Sequence, residues 1–338
     1  MEHSSTVIGV LLPQHYADAS LDDESRRMLS ELGHVIYNPN ATAPMDEPLR
    51  TEVLHQATAV LTGWGNSLTD EDLDIAPNLR AVAHAMGTPH PVEAAKRRGL
   101  AVFNTPEAYV PAVAEHAVGL MLASLRRIAE VDRALHSSAA GGPVYWGTAN
   151  VTDPDAPPTL ELKGRTVGLL GFGRIAQRLT EMLQAFRTKV LVYDPYVETE
   201  QVQAFGAQQM DLPALLDRVD VLAPLLPGVN EARHLIDADK LARLQDGTLI
   251  VNVSRGWFID QAALEKELVE KRLYAALDVF DPEPLPADSP LRSLENVILT
   301  SHMAGPTQSS AQRHVRQAIE ALRQWFYSHQ TPNKNEEG

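Results

Sequence analysis

The stretch Val167-Gly-Leu-Leu-Gly-Phe-Gly-Arg-Ile-Ala176 limits what this chain can fold into more than any other. An apolar β-type run enters a turn carrying Gly171 and Gly173, and a helix-like stretch follows from Arg174 to Phe186. A second apolar run, Lys189–Tyr193, ends in Asp194. Strand, glycine turn, helix, strand and terminal acid in that order describe a βαβ unit of the kind that holds a dinucleotide. Gly171 permits the tight turn, and Gly173 lets the backbone approach a pyrophosphate. The helix start at Arg174 and Ile175 contributes N–H groups and positive dipole, and Ala176 replaces the third glycine where helix packs on strand. A glycine pattern alone is weak; the full succession around it makes it specific.

The turn lies mid-chain, so a domain's worth of sequence precedes it. Strand-like runs recur there at Val7–Leu12, His34–Tyr37, Ala59–Thr62, Ala81–Ala85 and Leu100–Phe103, separated by helical patterns such as Asp22–Leu32 and Pro91–Arg98. Strands alternating with helices predict a parallel sheet covered on its faces. A long Ala- and Leu-rich helical pattern spans Pro111–His136, and the Gly-, Pro- and Asp-rich stretch 139–158 reads as an irregular excursion. The second α/β unit has strand patterns at Thr166–Leu170, Val190–Tyr193, Val219–Leu222, Thr248–Val253, Ala275–Val279 and Val297–Thr300. A last helix is predicted over Ser309–Phe326, with disorder at Glu2–Thr6 and after His329. The 338 residues suit about two domains.

Several function classes drop out on composition. The chain has 29 basic against 44 acidic residues, a net charge of −15, which argues against nucleic acid and anionic membrane as partners. With 0 cysteines, disulfides, zinc–thiolate sites and cysteine nucleophiles are excluded, and no metal site is expected. The start Met-Glu-His-Ser-Ser-Thr lacks a basic n-region, and no run is read as long enough to cross a bilayer. A cytoplasmic enzyme is the expectation.

Three later strand ends carry polar groups: Arg255 after Leu249–Ser254, Asp278 and Glu283 after Ala275-Ala-Leu, and His302 after Val297–Ser301. In an open α/β sheet, ligands bind at the carboxyl ends of the strands. Singly, each group is an ordinary loop polar residue. Together, beside a dinucleotide turn, they match a task. Hydride exchange with a carbonyl needs a proton donor, the usual work of histidine, with a carboxylate to hold its tautomer. An arginine fork can grip a carboxylate bidentately. Asp194 can accept from ribose hydroxyls, and Pro195–Glu200 contains no basic residue to receive a 2′-phosphate, so NAD is expected over NADP.

With these residues in view, the chain resembles the D-isomer-specific 2-hydroxyacid dehydrogenases, which include phosphoglycerate dehydrogenases and glyoxylate/hydroxypyruvate reductases. The likeness runs from about Leu61 to Thr307 and is strongest over Gly164–Asp194 and Gly247–Gly305, in Val251-Asn-Val-Ser-Arg-Gly256, Leu277-Asp-Val-Phe-Asp-Pro-Glu-Pro284 and Asn296-Val-Ile-Leu-Thr-Ser-His302. The resemblance implies two doubly wound parallel-sheet domains. A Rossmann NAD-binding domain (108–305) is inserted into a flavodoxin-like substrate domain (1–107 and 306–338). It implies that Arg255 binds the substrate carboxylate, that His302 is the acid/base paired with Glu283, and that backbone N–H groups of Met86, Gly87 and Thr88 contact the substrate. Val253 and Asp278 would line the cofactor pocket, Asp278 near the nicotinamide carboxamide. The implied substrate is a small 2-oxo or 2-hydroxy acid, and the implied assembly a homodimer.

The sequence departs from the family pattern at Leu225 (commonly histidine), Ala232 (threonine) and Ser301 (proline), and the loop His84–Pro91 lacks the usual acid. His84 and His90 are read as structural, while Trp64 and Tyr109 could line a cleft or simply pack. Two other readings stand beside the enzyme. One is a non-catalytic NAD(H)-sensing protein of the same fold. The other is a formate dehydrogenase, against which Glu283 speaks because those enzymes place a glutamine beside the histidine.

Overall fold

In the computed structural model the described residues are 6–63, 66–85, 92–136, 152, 158–226, 228 and 230–330. The chain divides into two compact units, Met1–Tyr109 with Pro306–Gly338, and Val110–Gly305.

The first unit is built on strands β1 (Val7–Val10), β2 (His34–Tyr37), β3 (Ala59–Gly63), β4 (Ala81–Ala85) and β5 (Ala101–Asn104), all parallel, in the order β2-β1-β3-β4-β5. Every residue of β3 and β4 is buried, as expected of central parallel strands with helices on both faces. Alternate side chains feed two cores. Ile8, Val10, Ala59 and Leu61 pack with Met28, Leu29, Leu32, Val315, Ile319, Leu322 and Phe326. Leu11, Val60 and Val82 pack with Val53, Leu54, Leu73 and Ala94. The chain's return, the helix Gln308–Gln330, therefore belongs to this unit's core. Its Arg316 also reaches Asp22 at 2.5 Å and Glu24 at 2.8 Å. Asp22 caps the helix Asp23–Leu32 by accepting from Ser25 N, and with Arg316 beside it the carboxyl is held down at about 2.

The second unit has seven parallel strands: β6 (Thr166–Leu170), β7 (Lys189–Tyr193), β8 (Gln208–Gln209), β9 (Val221–Pro224), β10 (Leu249–Asn252), β11 (Tyr274–Leu277) and β12 (Val297–Leu299). Their order is β12-β11-β10-β9-β6-β7-β8, so the winding reverses between β6 and β9. Both units are doubly wound parallel α/β sheets, and the second has the Rossmann order.

Three details differ from the sequence reading. The two-residue strand β8 is polar and carries no hydrophobic signal; Gln209 earns its place by donating to Asp194 O and Val197 O. The helical pattern Pro111–His136 is two helices, Val110–Leu125 and Ile128–His136. They part at Arg127, whose φ of 54° lies in the left-handed region and whose guanidinium turns back onto Glu130. Finally, Pro106–Leu125 is long and apolar enough to cross a membrane by length and composition, contrary to the sequence expectation. Half of it is buried, and Val110–Leu125 packs on the helix Arg174–Ala185 and on β10 and β11, so its apolarity is that of a core helix.

One buried polar group in the first unit gives a pH signature. His314 is 1 % exposed, accepts or donates through Nδ1 to Thr105 Oγ1 at 2.6 Å, and lies edge-on to the Tyr109 ring at 4.1 Å. Burial, with Arg313 and His84 nearby, pushes its imidazole down to about 4 from 6.5. Above 6.5 the ring is neutral whether folded or not. Between 6.5 and 4 the unfolded chain takes up a proton that the fold refuses, so stability falls with pH. Thermal melts of the wild type should therefore drop faster from pH 7 to pH 4.5 than those of His314→Asn; parallel melting curves for the two would show that His314 titrates normally.

Candidate active site

Strand register brings the polar strand ends of the second unit level. Asn252 of β10 pairs with Leu277 of β11, which pairs with Leu299 of β12. Arg255, Asp278 and His302 thus leave the same edge of the sheet, three, one and three residues beyond those partners.

The loop after β10 is fixed by its own side chains. Asn252 Nδ2 donates to Arg255 O at 2.9 Å, Ser254 N donates to Asn252 Oδ1, and Ser254 Oγ donates to Pro224 O at the end of β9. Gly256 lies so close to the chain after β11 that a Cβ there would sit 2.0 Å from the carbonyl of Phe280. This contact joins the Arg255 loop to the segment leading to Glu283. Arg255 itself is exposed, with Nη1 donating to Ser254 O at 2.7 Å. Its fork is on the strand-end edge, but no direct bond links it to His302 or Glu283 among the described residues. Val253 is buried in the same loop.

Asp278 has no solvent exposure. Its Oδ1 accepts from Thr300 Oγ1 at 2.5 Å and Met303 N at 2.9 Å, its Oδ2 from Ala304 N at 2.9 Å, and its carbonyl from His302 N at 2.8 Å. A carboxylate so bonded can be buried without the penalty of an unsatisfied charge. His302, on the loop so held, has a φ of 54°, left-handed for a non-glycine residue. Its Nδ1 meets Glu283 Oε2 at 3.0 Å, and the two side chains are 48 % and 37 % exposed. The structure thus brings Glu283, His302 and Asp278 together. Thr300, and His116 at 3.2 Å from it, join the cluster without having stood out in the sequence; the available signal was a Glu115-His116 pair within a mostly apolar helix.

The glycine turn has two parts with different causes. Gly171 has a φ of +93°, and a Cβ would lie 2.8 Å from Leu225 O, so the fold itself requires glycine there. Leu225, at a departure from the family pattern, is buried with its N–H on Leu170 O; Ala232, at another, is buried too. Gly173 has an ordinary φ of −72° as N-cap of the helix Arg174–Ala185, and a Cβ there would meet nothing within 4 Å. Packing gives no reason for that glycine. The first N–H groups of a helix have no intrahelical acceptor, and no side chain caps this one. Open space over the start of a twelve-residue helix, beginning at Arg174 and Ile175, fits a pyrophosphate. Asp194 stands at the end of β7, with Oδ2 accepting from Phe172 N at 2.7 Å and Oδ1 from Tyr196 N at 2.9 Å. It therefore shapes the turn while keeping lone pairs for ribose hydroxyls.

In the first unit, His84 is buried and bonded through Nδ1 to Thr62 Oγ1 at 2.7 Å, and Tyr109 packs on His314. Met86, Gly87, Thr88, Trp64 and His90, and most of the 139–158 excursion, lie outside the described residues. Among the described residues no group of three or more His, Asp or Glu is arranged to hold a metal.

Residues 118–304 match the D-isomer specific 2-hydroxyacid dehydrogenase, NAD binding domain, family. A glyoxylate reductase of Thermofilum pendens is 33% identical over 317 residues, covering 92% of this chain and 90% of its own. A D-3-phosphoglycerate dehydrogenase of Mycobacterium leprae is 35% identical over 82% of this chain, which spans only 52% of that longer protein. Among solved structures, the NADPH-dependent glyoxylate/hydroxypyruvate reductase of Sinorhizobium meliloti superposes with a TM-score of 0.71 at 26% identity, covering 95% of this chain and 94% of its own.

The two glycines should separate in experiment. Gly171→Ala should destabilise the second unit by roughly 1–3 kcal/mol, as overpacking against backbone does. Gly173→Ala should cost roughly 1 kcal/mol or less, the loss from a poorer N-cap residue, and should weaken NADH binding measured by nicotinamide fluorescence. Unchanged NADH affinity in Gly173→Ala would show that the open space is not the pyrophosphate cradle.

Proposed function

The chain belongs to the D-isomer-specific 2-hydroxyacid dehydrogenase family, an oxidoreductase with a nicotinamide-dinucleotide domain, and on that premise we propose that it reduces a small 2-oxoacid with NADH through Arg255, Glu283 and His302. The observation that carries the reading is the bonded His302–Glu283 pair on the strand-end edge that also presents Arg255. The dinucleotide, when bound, supplies the hydride.

Each residue then has a defined task. Glu283 takes the His302 Nδ1 proton in a hydrogen bond and so fixes the tautomer, leaving Nε2 as the atom that exchanges a proton with the substrate oxygen. Oxidation of the 2-hydroxy acid runs through the same Nε2 as base. The Arg255 fork binds the substrate carboxylate in two parallel hydrogen bonds and draws charge from the adjacent carbonyl. Its exposure in this structure leaves it available for that contact. The backbone N–H groups of Met86, Gly87 and Thr88 are proposed as the second hold on that carboxylate. Gly171, Gly173, Arg174 and Ile175 would receive the pyrophosphate, and Val253 and Asp278 would border the nicotinamide end. The relatives' activities, on glyoxylate, hydroxypyruvate and 3-phosphoglycerate, name the substrates to try first.

His302→Ala should lower turnover on a 2-oxoacid panel by roughly 100-fold or more while NADH still binds, the usual loss when a general acid is removed. Near-normal rates in that variant would sink the assignment. A wild type that binds NADH tightly yet reduces nothing on the panel would point to the NAD(H)-sensing alternative.

Cofactor choice rests on charge. A 2′-phosphate beside Asp194 would meet like charge, and Pro195–Glu200 offers no arginine or lysine in compensation. The Sinorhizobium meliloti reductase is NADPH-dependent on a similar fold, so fold alone does not fix the choice. Here kcat/KM should favour NADH over NADPH by about tenfold or more, the scale of one lost or repelled charged contact; an equal or higher value with NADPH would overturn the preference.

A further inference from the structure

We propose that His116, Thr300 and Asp278 form a latch that sets the position of His302, making all three positioning residues for its proton transfer; this rests on reading His302 as the acid/base. Three consecutive backbone N–H groups, of His302, Met303 and Ala304, all donate to Asp278: the first to its carbonyl, the next two to its two carboxylate oxygens. The residue at the start of that run, His302, is in the left-handed region at 54°. For a non-glycine residue that conformation is unfavourable and persists only where the surroundings over-determine it. Asp278 is that determinant. It is fully buried, and its own N–H is held by Asn252 O, so the loop is referred directly to β10 and β11.

The latch extends outward through a hydroxyl whose direction is fixed by its partners. An ionised Asp278 can only accept, so Thr300 Oγ1 donates its proton to Asp278 Oδ1 across 2.5 Å. The Thr300 oxygen is then left to accept, and His116 Nε2 lies 3.2 Å from it. The imidazole therefore carries its proton on Nε2 toward the cluster. The same nitrogen is 3.6 Å from Asp278 Oδ1, and among the described residues His116 is the one basic side chain within 4.0 Å of that carboxylate. His116 stands on Val110–Leu125, which packs on β10, β11 and β12. The helix that begins the second unit thus contacts, through one side chain, the loop that closes it. With both Asp278 oxygens already used by N–H and O–H groups, the residue's first work is to hold the His302 loop, and any contact with a cofactor comes in addition.

The test compares two deletions with two replacements that keep the donor. Thr300→Val removes the hydroxyl at constant shape, and His116→Leu removes the ring N–H at a partly exposed helix position. Thr300→Ser keeps a hydroxyl, and His116→Gln places an amide N–H at the reach of Nε2. With NADH and a 2-oxoacid substrate, both deletions should lower kcat about 10- to 100-fold, the range for a displaced reacting group. The KM for substrate and the NADH affinity by fluorescence should stay near wild type, the solvent deuterium isotope effect on kcat should rise, and Ser and Gln should restore most of the rate. Equal losses in the donor-keeping variants, or a loss confined to NADH affinity, would overturn the latch. A second readout needs no turnover. The imidazole 15N signals of His302, identified by their absence in His302→Gln, should move in Thr300→Val and His116→Leu toward those of a freely exposed histidine. Unmoved signals would reject the latch even in an active enzyme. Moved signals in a protein that reduces no 2-oxoacid would uphold it while removing the proposed function.

Discussion

Burying an ionised carboxylate is tolerable only when its lone pairs are filled, and at Asp278 the filling groups are the backbone of the loop that carries His302. That one residue couples three levels of the structure. It follows the last residue of β11, which is in register with β10 and β12 and whose Ala275 and Leu277 pack in one apolar cluster with Ile250 and Val297. Its N–H continues the ladder to Asn252, its carbonyl and carboxylate order residues 302–304, and Thr300 connects it to the first helix of the unit. Displacing β11 by one position would turn this carboxylate to the other face and release the loop, because side chains alternate along a strand.

Much of this was legible in the sequence. The glycine turn, its flanking strands and Asp194 carry their own periodicity and spacing, and they specify a Rossmann unit without any tertiary information. So do the central strands of both sheets, which read as apolar runs because they are buried on both faces. What escaped has physical reasons. β8 is two glutamines held by side-chain bonds, so it has no apolar pattern. The break between Val110–Leu125 and Ile128–His136 is a backbone choice at Arg127, supported by a local ion pair, within an uninterrupted helical composition. The roles of Thr300 and His116 depend on contact across 184 residues, which no local spacing can display.

Gly171 and Gly173 look equivalent as letters and are not equivalent as physics. The first is demanded by the protein: its φ is positive and Leu225 stands against it. The second satisfies no demand of the protein that the structure displays, since its φ suits any residue and its surroundings are open. Glycine in a helix N-cap also gives up the side-chain cap that serine or aspartate would provide, a loss of a few tenths of a kcal/mol. A position where serine or aspartate would cap the helix better, yet glycine stands with open space around it, is best explained by a group that approaches from outside.

The same weighing applies to His302 and Glu283. An ion pair between side chains 48 % and 37 % exposed contributes about 0–1 kcal/mol. Holding His302 in the left-handed region opposes folding by a similar or larger amount, roughly 1–2 kcal/mol. The pair therefore does not explain its own geometry as a source of stability; a glycine or asparagine at 302 would relieve the backbone at little loss of contact. What the arrangement secures is a direction. Nδ1 is committed to Glu283, the loop is committed to Asp278, and Nε2 is left as the imidazole's other nitrogen at the carboxyl edge of the sheet. A small local instability maintained to orient one nitrogen is what a proton-transferring residue requires.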